Sequence, residues 1–174
     1  MSTPTVPLPV DADPVLGEML DQFVTCLCAE LSAGGRPACA CCLVWGTTQP
    51  PATFCDCDCN GGHGQAWVRV MRWDPAATVN QAVRRQCQAW RYRVWIEAGV
   101  YRCVAAVADG QGNPPTCEQR AADAWGLLTD ARLIRQAAAC CAAFKGKVVD
   151  FISEEPTAVL GACSGVLIQF AVEL

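Results

Sequence analysis

The chain has 174 residues, of which 52% are hydrophobic and 17% charged, with a formal charge of −4. That balance excludes wholesale disorder, and the length suits one domain able to bury a core of its own. No long basic block is present, so a nucleic-acid surface built on counterion release is excluded as the organising feature.

Residues 1–12, MSTPTVPLPVDA, hold three prolines and no hydrophobic period, which predicts a flexible or strapped-down arm. They have neither the basic start nor the apolar stretch of a secretory signal, and no later segment has the length and apolarity of a membrane helix. The expectation is a protein made in a reducing cytoplasm, where cysteines serve as core residues, metal ligands or redox groups.

A single domain is expected over 13–174. Asp13-Pro14 has the form of a helix N-cap followed by proline at the first helical position. Val15, Leu16, Met19, Leu20, Phe23, Val24, Leu27 and Leu31 then recur at helical spacing, and Gly34-Gly35 ends the helix. Residues 36–64 are rich in Cys, Pro, Gly and Asp. They predict a long excursion needing a tether of its own, with a short strand possible at Cys41–Trp45. Gln65–Trp73 is strand-like and closed by Asp74-Pro75. Ala76–Ala89 fits no single pattern, a short helix being one reading.

Arg91–Val104 alternates as a strand, with Tyr92, Val94, Ile96 and Ala98 toward the core, Arg93, Trp95 and Glu97 away from it, and a bulge expected at Gly99. Asp109–Pro115 is turn-rich, and Thr116–Gln119 has the form of a capping box. The helix it opens is expected to run to about Phe144, roughly 40 Å, with Ala124, Leu127, Leu128, Ala131, Ile134, Ala138 and Cys141 as its seam. Lys147–Ser153 and Val166–Leu174 complete the pattern as strands. The predicted class is α+β: a mainly antiparallel sheet of about four strands, two long helices packed on it, and the order α-β-β-α-β-β.

No phosphate loop, dinucleotide fingerprint, nucleophile elbow or H-E-x-x-H helix occurs, and the chain has a single histidine. A catalytic role has no support, and the expectation is a protein that is not an enzyme. The unusual feature is sulfur: fourteen cysteines, six of them crowded with His63 into residues 39–63. In extended chain Cys55, Cys57 and Cys59 share one side, and so do Cys39 and Cys41 beside Cys42. Three readings stay open. Structural zinc would draw ligands from Cys39, Cys41, Cys42, Cys55, Cys57, Cys59 and His63, although C-x-C is tighter than the usual chelate spacing. Disulfides formed late, outside a reducing cell, would run between the two clusters, because a bridge within C-x-C is strained. Otherwise these are small buried side chains. Cys87, Cys103, Cys117, Cys140, Cys141 and Cys163 are expected to pack as such.

Several stretches taken together carry a resemblance: GQAWVRVMRWDP over Gly64–Pro75, EAGVYRCVAAVADGQGNPPT over Glu97–Thr116, the Cys140-Cys141 pair, and Gly161-Ala162-Cys163-Ser164-Gly165 before the last strand. From roughly Cys26 to Leu174 the chain resembles tail terminators, head–tail joining proteins of tailed phages of actinobacteria. The family keeps cysteines near the first cluster, and the C-x-C-x-C of this chain goes beyond that pattern. The resemblance implies a small α+β structural protein of the virion neck, assembled in the host cytoplasm. Such proteins form a six-membered ring on the head-proximal end of the tail tube, stop tube growth, and meet the head connector. The implied partners are further copies of itself, the major tail tube protein and the connector or stopper. DNA passing through the ring would be met without sequence-specific binding, and no membrane is involved. The alternatives are another neck protein, a stopper or adaptor, and, from a different class, a small cytoplasmic zinc-binding or redox protein.

Overall fold

The structure, a computed structural model, describes residues 13–45, 55, 59, 63–75, 92–105 and 114–174. The arm over 1–12, the ambiguous Ala76–Ala89, most of the turn-rich loop at 109–113 and Cys57 lie outside the described residues.

Helix α1 spans Pro14–Ala33. The Asp13 carboxylate accepts from the Val15 and Leu16 N–H groups at 3.0 Å each, filling two donors that the first turn leaves unpaired. At the other end Gly35 takes φ +72°, a left-handed conformation that glycine adopts without a Cβ penalty. The Arg36 N–H then reaches back to the Leu31 carbonyl at 2.8 Å, and Gly35 to Ser32 at 3.0 Å, a Schellman closure. Met19, Leu20, Phe23, Leu27 and Leu31 are buried, as their spacing predicts, whereas Val15 in the first turn is exposed.

Helix α2 spans Cys117–Cys140. Its capping box is reciprocal: Gln119 N–H to Thr116 Oγ1 at 3.2 Å, and Thr116 N–H to Gln119 Oε1 at 2.9 Å. The helix stops short of Phe144. Cys141 turns to an extended conformation and is disulfide-bonded to Cys26 of α1, and a single 3-10 turn, Ala142–Phe144, follows. The predicted seam needs correction at its N-terminal half. Ala124 and Leu128 are exposed, while Asp130, which the pattern left outside, is fully buried. Leu133 packs so near α1 that a Cβ on Gly34 would lie 2.5 Å from its Cδ1.

The strands are β1 (Ala40–Val44), β2 (Gln65–Pro75), β3 (Tyr92–Cys103), β4 (Val149–Pro156) and β5 (Cys163–Glu173). They form one sheet in the order β1-β2-β3-β5-β4. The class is α+β, mostly antiparallel, with five strands rather than about four. The added strand, β1, runs parallel to β2. That pairing explains the long excursion, since parallel neighbours require the chain to cross back over the sheet before pairing.

The β3–β5 ladder is unbroken from Arg93↔Glu173 to Cys103↔Cys163. Gly99 is not a bulge. It sits in regular register, and a Cβ there would come within 2.3 Å of the Trp67 ring, so glycine makes the seat for that indole. The register shifts fall instead between Val70 and Arg72 and between Phe151 and Ser153.

Both helices cover one face of the sheet. Val68, Val70, Val94, Ile96, Ala98, Ile168, Phe170 and Val172 meet the buried stripes of α1 and α2 there. Phe23, Phe144 and Phe170 form the centre, with ring centroids 4.9 to 5.7 Å apart. Burial of such rings supplies about 1.5–3 kcal/mol each from area alone.

Candidate functional site

The excursion between α1 and β2 is closed at its base. The His63 N–H donates to the Pro37 carbonyl at 2.9 Å, and Cys39 N–H to Gly64 at 2.8 Å. Arg102 of β3 clamps the same point from below. Its guanidinium donates to the carbonyls of Arg36 (2.7 Å), Pro37 (3.1 Å) and His63. It also grips the buried Asp130 carboxylate at 3.0 and 3.1 Å, and Arg36 grips the same carboxylate at 2.7 and 2.9 Å. Two bidentate arginines on one carboxylate tie α2, β3 and both ends of the excursion into one knot. Hydrogen bonding to Asp130, outweighing burial and reinforced by its charge, raises the Arg36 pKa above its ordinary value. Gly126 gives the room: a Cβ there would lie 2.9 Å from the Arg36 guanidinium. A cleft of about 270 Å³ opens beside the knot, lined in part by Arg36, His63, Arg102 and Asp123. The donors of Arg102 are spent on the knot, and Asp123 accepts from the Ala105 N–H at 2.8 Å.

Beyond its base the excursion is held by sulfur. Cys39 pairs with Cys59, joining the two sequence clusters as expected of bridges, with Cα atoms 5.7 Å apart. Cys41 pairs instead with Cys28 of α1, fixing β1 under the helix at 6.2 Å. Cys55 crosses to Cys163 at the start of β5, with Cα atoms 5.9 Å apart and the Cys103 sulfur 3.3 Å from its own. Cys42 is an exposed free thiol. His63 joins the cleft and the base of the excursion. A disulfide sulfur carries no thiolate charge and is not a zinc ligand. In this oxidised form the donor set therefore does not fit a metal cage, and no cluster of metal-ligating side chains occurs among the described residues.

The partners were the part that sequence reasoning missed. Cys26, Cys28, Cys103, Cys141 and Cys163 are bridging residues, and Cys103, Cys141 and Cys163 are corrected from plain packing side chains. A signal was present for two of them: Cys26 and Cys28 flank Leu27 in the buried stripe, so they reach opposite sides of α1, one toward α2 and one toward β1.

Cys55 brings the excursion onto the sheet face that carries no helix. Cys55, Trp67, Tyr101, Cys163 and Leu167 make a second buried cluster there, with the Trp67 and Tyr101 rings stacked at 4.3 Å. Beside it, Arg69 meets the fully buried Glu97 through Nε at 2.6 Å and Nη2 at 3.0 Å, and Gln169 donates to the same carboxylate at 3.2 Å. Burial pushes the Glu97 carboxyl up. The hydrogen bonds and charge of Arg69, with the Gln169 bond, outweigh it and leave the pKa below the ordinary value. The Tyr101 hydroxyl is pushed up by burial and by the Glu97 charge.

Exposed apolar side chains gather at opposite edges of the sheet. One edge carries Leu43, Trp45 (74% exposed) and Trp73 at the β1–β2 side. The other carries Phe151 and Ile152 on β4, with Val148, Val159 and Leu160 flanking it. Trp125 and Leu128 add a third patch on α2. No described helix is long and apolar enough to cross a membrane. No protein-family model matches the chain, and no characterised protein matches it in sequence.

Proposed function

We propose that this protein is a structural component of a phage neck, a tail terminator that closes the tail tube and joins it to the head connector. The observation that carries the reading is the pair of unlike apolar edges: Leu43, Trp45 and Trp73 on one side of the sheet, Phe151 and Ile152 on the other. A closed ring of identical subunits needs a heterologous contact, in which each copy offers two different patches. The edges meet that need without any further element. The sequence resemblance supports the same reading, and its described stretches include β2, the second half of β3, and the turn into β5. In this proposal the copies form a homohexameric ring on the head-proximal end of the tube, facing the tube protein below and the connector above. Synthesis in the host cytoplasm comes first, and the bridges close as or after the particle leaves the reducing cell.

The test is compositional. Gradient-purified particles analysed by mass spectrometry are expected to contain the chain at a few copies per virion, and native mass spectrometry of the isolated protein is expected to give a hexamer. Absence from particles, with abundance in the infected cell, overturns the reading.

A further inference from the structure

Three sulfurs meet where β3 ends and β5 begins. Cys103 and Cys163 are partners on the last rung of the β3–β5 ladder, so their side chains share the sheet face that carries no helix. Cys55 is bonded to Cys163, and its sulfur also lies 3.3 Å from that of Cys103. Cys103 is itself disulfide-bonded. The Cys55 sulfur therefore belongs to one bridge and touches a member of another. The separation falls within the roughly 3–3.5 Å of a near-attack geometry.

The three sulfurs differ in access. Cys55 and Cys163 are 3% and 5% exposed and pack with Trp67, Tyr101 and Leu167. Cys103 is half-buried and forms part of the wall of the cleft of about 270 Å³ beside the arginine knot. The same wall carries two polar groups with capacity to spare. Arg36 holds Asp130 through Nε and Nη2, and its Nη1 lies against Gly126, where a Cβ would come within 3.2 Å. Nη1 is thus a donor for a carboxylate. Asp123 accepts from the Ala105 N–H through Oδ2, which leaves Oδ1 for an ammonium.

We propose that the cleft admits a small thiol bearing an amino-acid carboxylate and ammonium, and that Cys103 relays its reducing electrons to the buried Cys55–Cys163 bridge. A first thiolate attacks the Cys103 sulfur, forms a mixed disulfide with it, and releases its former partner as a thiolate. A second thiolate attacks the mixed disulfide, leaves as the symmetric small-molecule disulfide, and frees Cys103 as a thiolate. The two thiols supply both electrons. The Cys103 thiolate then attacks the Cys55 sulfur: the Cys55–Cys163 bond breaks, a Cys55–Cys103 bond forms, and Cys163 leaves as a thiolate that takes a proton from water. Cys163 closes the β4–β5 turn through backbone bonds with Leu160 at 2.9 and 3.1 Å. The exchange therefore frees that turn, with its exposed Val159 and Leu160, from the excursion, while Cys55 stays anchored on the same rung. The relay does not depend on the virion role.

The test uses the full oxidised chain with glutathione as the probe. Samples taken at rising glutathione are quenched in acid, alkylated with N-ethylmaleimide and mapped by peptide mass spectrometry. The expected rearranged species carries a Cys55–Cys103 bond with Cys163 alkylated. Its absence at every glutathione concentration, or loss of the Cys55–Cys163 bond while the Cys103 bond persists, overturns the relay. In Cys103→Ser, with all free thiols alkylated beforehand, loss of the Cys55–Cys163 bond is expected to slow by about tenfold or more, because the positioned thiolate is gone. An unchanged rate overturns the relay, and the wild-type mapping decides the matter if this variant fails to fold. S-methylglutathione, which cannot exchange, is expected to slow the wild-type reaction by occupying the cleft, and no slowing at saturating concentration overturns the cleft as the point of entry.

Discussion

The two faces of the sheet are stabilised by different chemistry. The face under α1 and α2 is a continuous apolar core around Phe23, Phe144 and Phe170. The opposite face buries Arg69, Glu97 and a stacked Trp67–Tyr101 pair, and it receives the excursion through the Cys55–Cys163 bridge. A crossover between parallel strands is ordinarily a helix that brings its own apolar stripe. Among the described residues of this crossover, Cys55 and Cys59 are held by disulfides to Cys163 and Cys39. Apolar contacts are non-directional and tolerate rearrangement, whereas a paired buried charge and a bridge each accept one geometry.

The comparison can be broken first at the helix side. Phe170→Ala removes the ring that meets Phe23 of α1 and Phe144 of the 3-10 turn, and a loss of about 3–5 kcal/mol is expected from denaturant unfolding. On the other face, Glu97→Ala leaves Arg69 buried without its partner and is expected to cost about 3 kcal/mol. The double variant Glu97→Leu with Arg69→Met should recover much of that, and an equal or larger loss would deny the ion pair its assigned role. The same pair sets an acid limb. Because the folded Glu97 pKa is depressed, its stabilisation is full above the ordinary carboxylate pKa and is lost as pH falls through the lower folded value. Wild type should therefore lose stability on acidification more steeply than Glu97→Gln, as read from urea midpoints across that range.

Removing the Cys55–Cys163 bridge by serine at both positions is expected to cost about 2 kcal/mol. Its signature should be local: amide exchange accelerates in β1 and at Cys59 while α1 and the C-terminal half of α2 stay protected. Uniform acceleration everywhere would merge the two faces into one cooperative unit. The smallest effect on stability is expected at the sheet edge. Phe151→Ser should change the unfolding free energy by no more than about 0.5 kcal/mol, yet abolish the hexamer in native mass spectrometry.

These differences also explain what could be read in the sequence. The helix-covered face was legible because it obeys periods: α1 with its Asp13 cap and Gly34-Gly35 stop, the capping box at Thr116, and the alternation at Val94–Ala98 and Val166–Val172. Glu97 was assigned to the outer side by the same alternation, and alternation cannot say that a second layer lies there. Asp130 was missed for a related reason: a buried carboxylate is intelligible only with Arg36 and Arg102 beside it, residues far away in sequence. The excursion was recognised as needing a tether, but not the partners of its cysteines. Sulfur pairing depends on which elements meet, and Cys28, Cys141 and Cys163 meet theirs only through the packing of α1, α2 and β5. The strand β1 was seen as a possibility, while its parallel pairing lay in the register and not in composition.

The proposed role is tested most directly by electron microscopy of a lysate made without this protein. A terminator stops tube growth, so its loss is expected to leave filled heads beside unattached tails of uncontrolled length. Tails of normal length beside unjoined heads would contradict the account and point to a stopper instead.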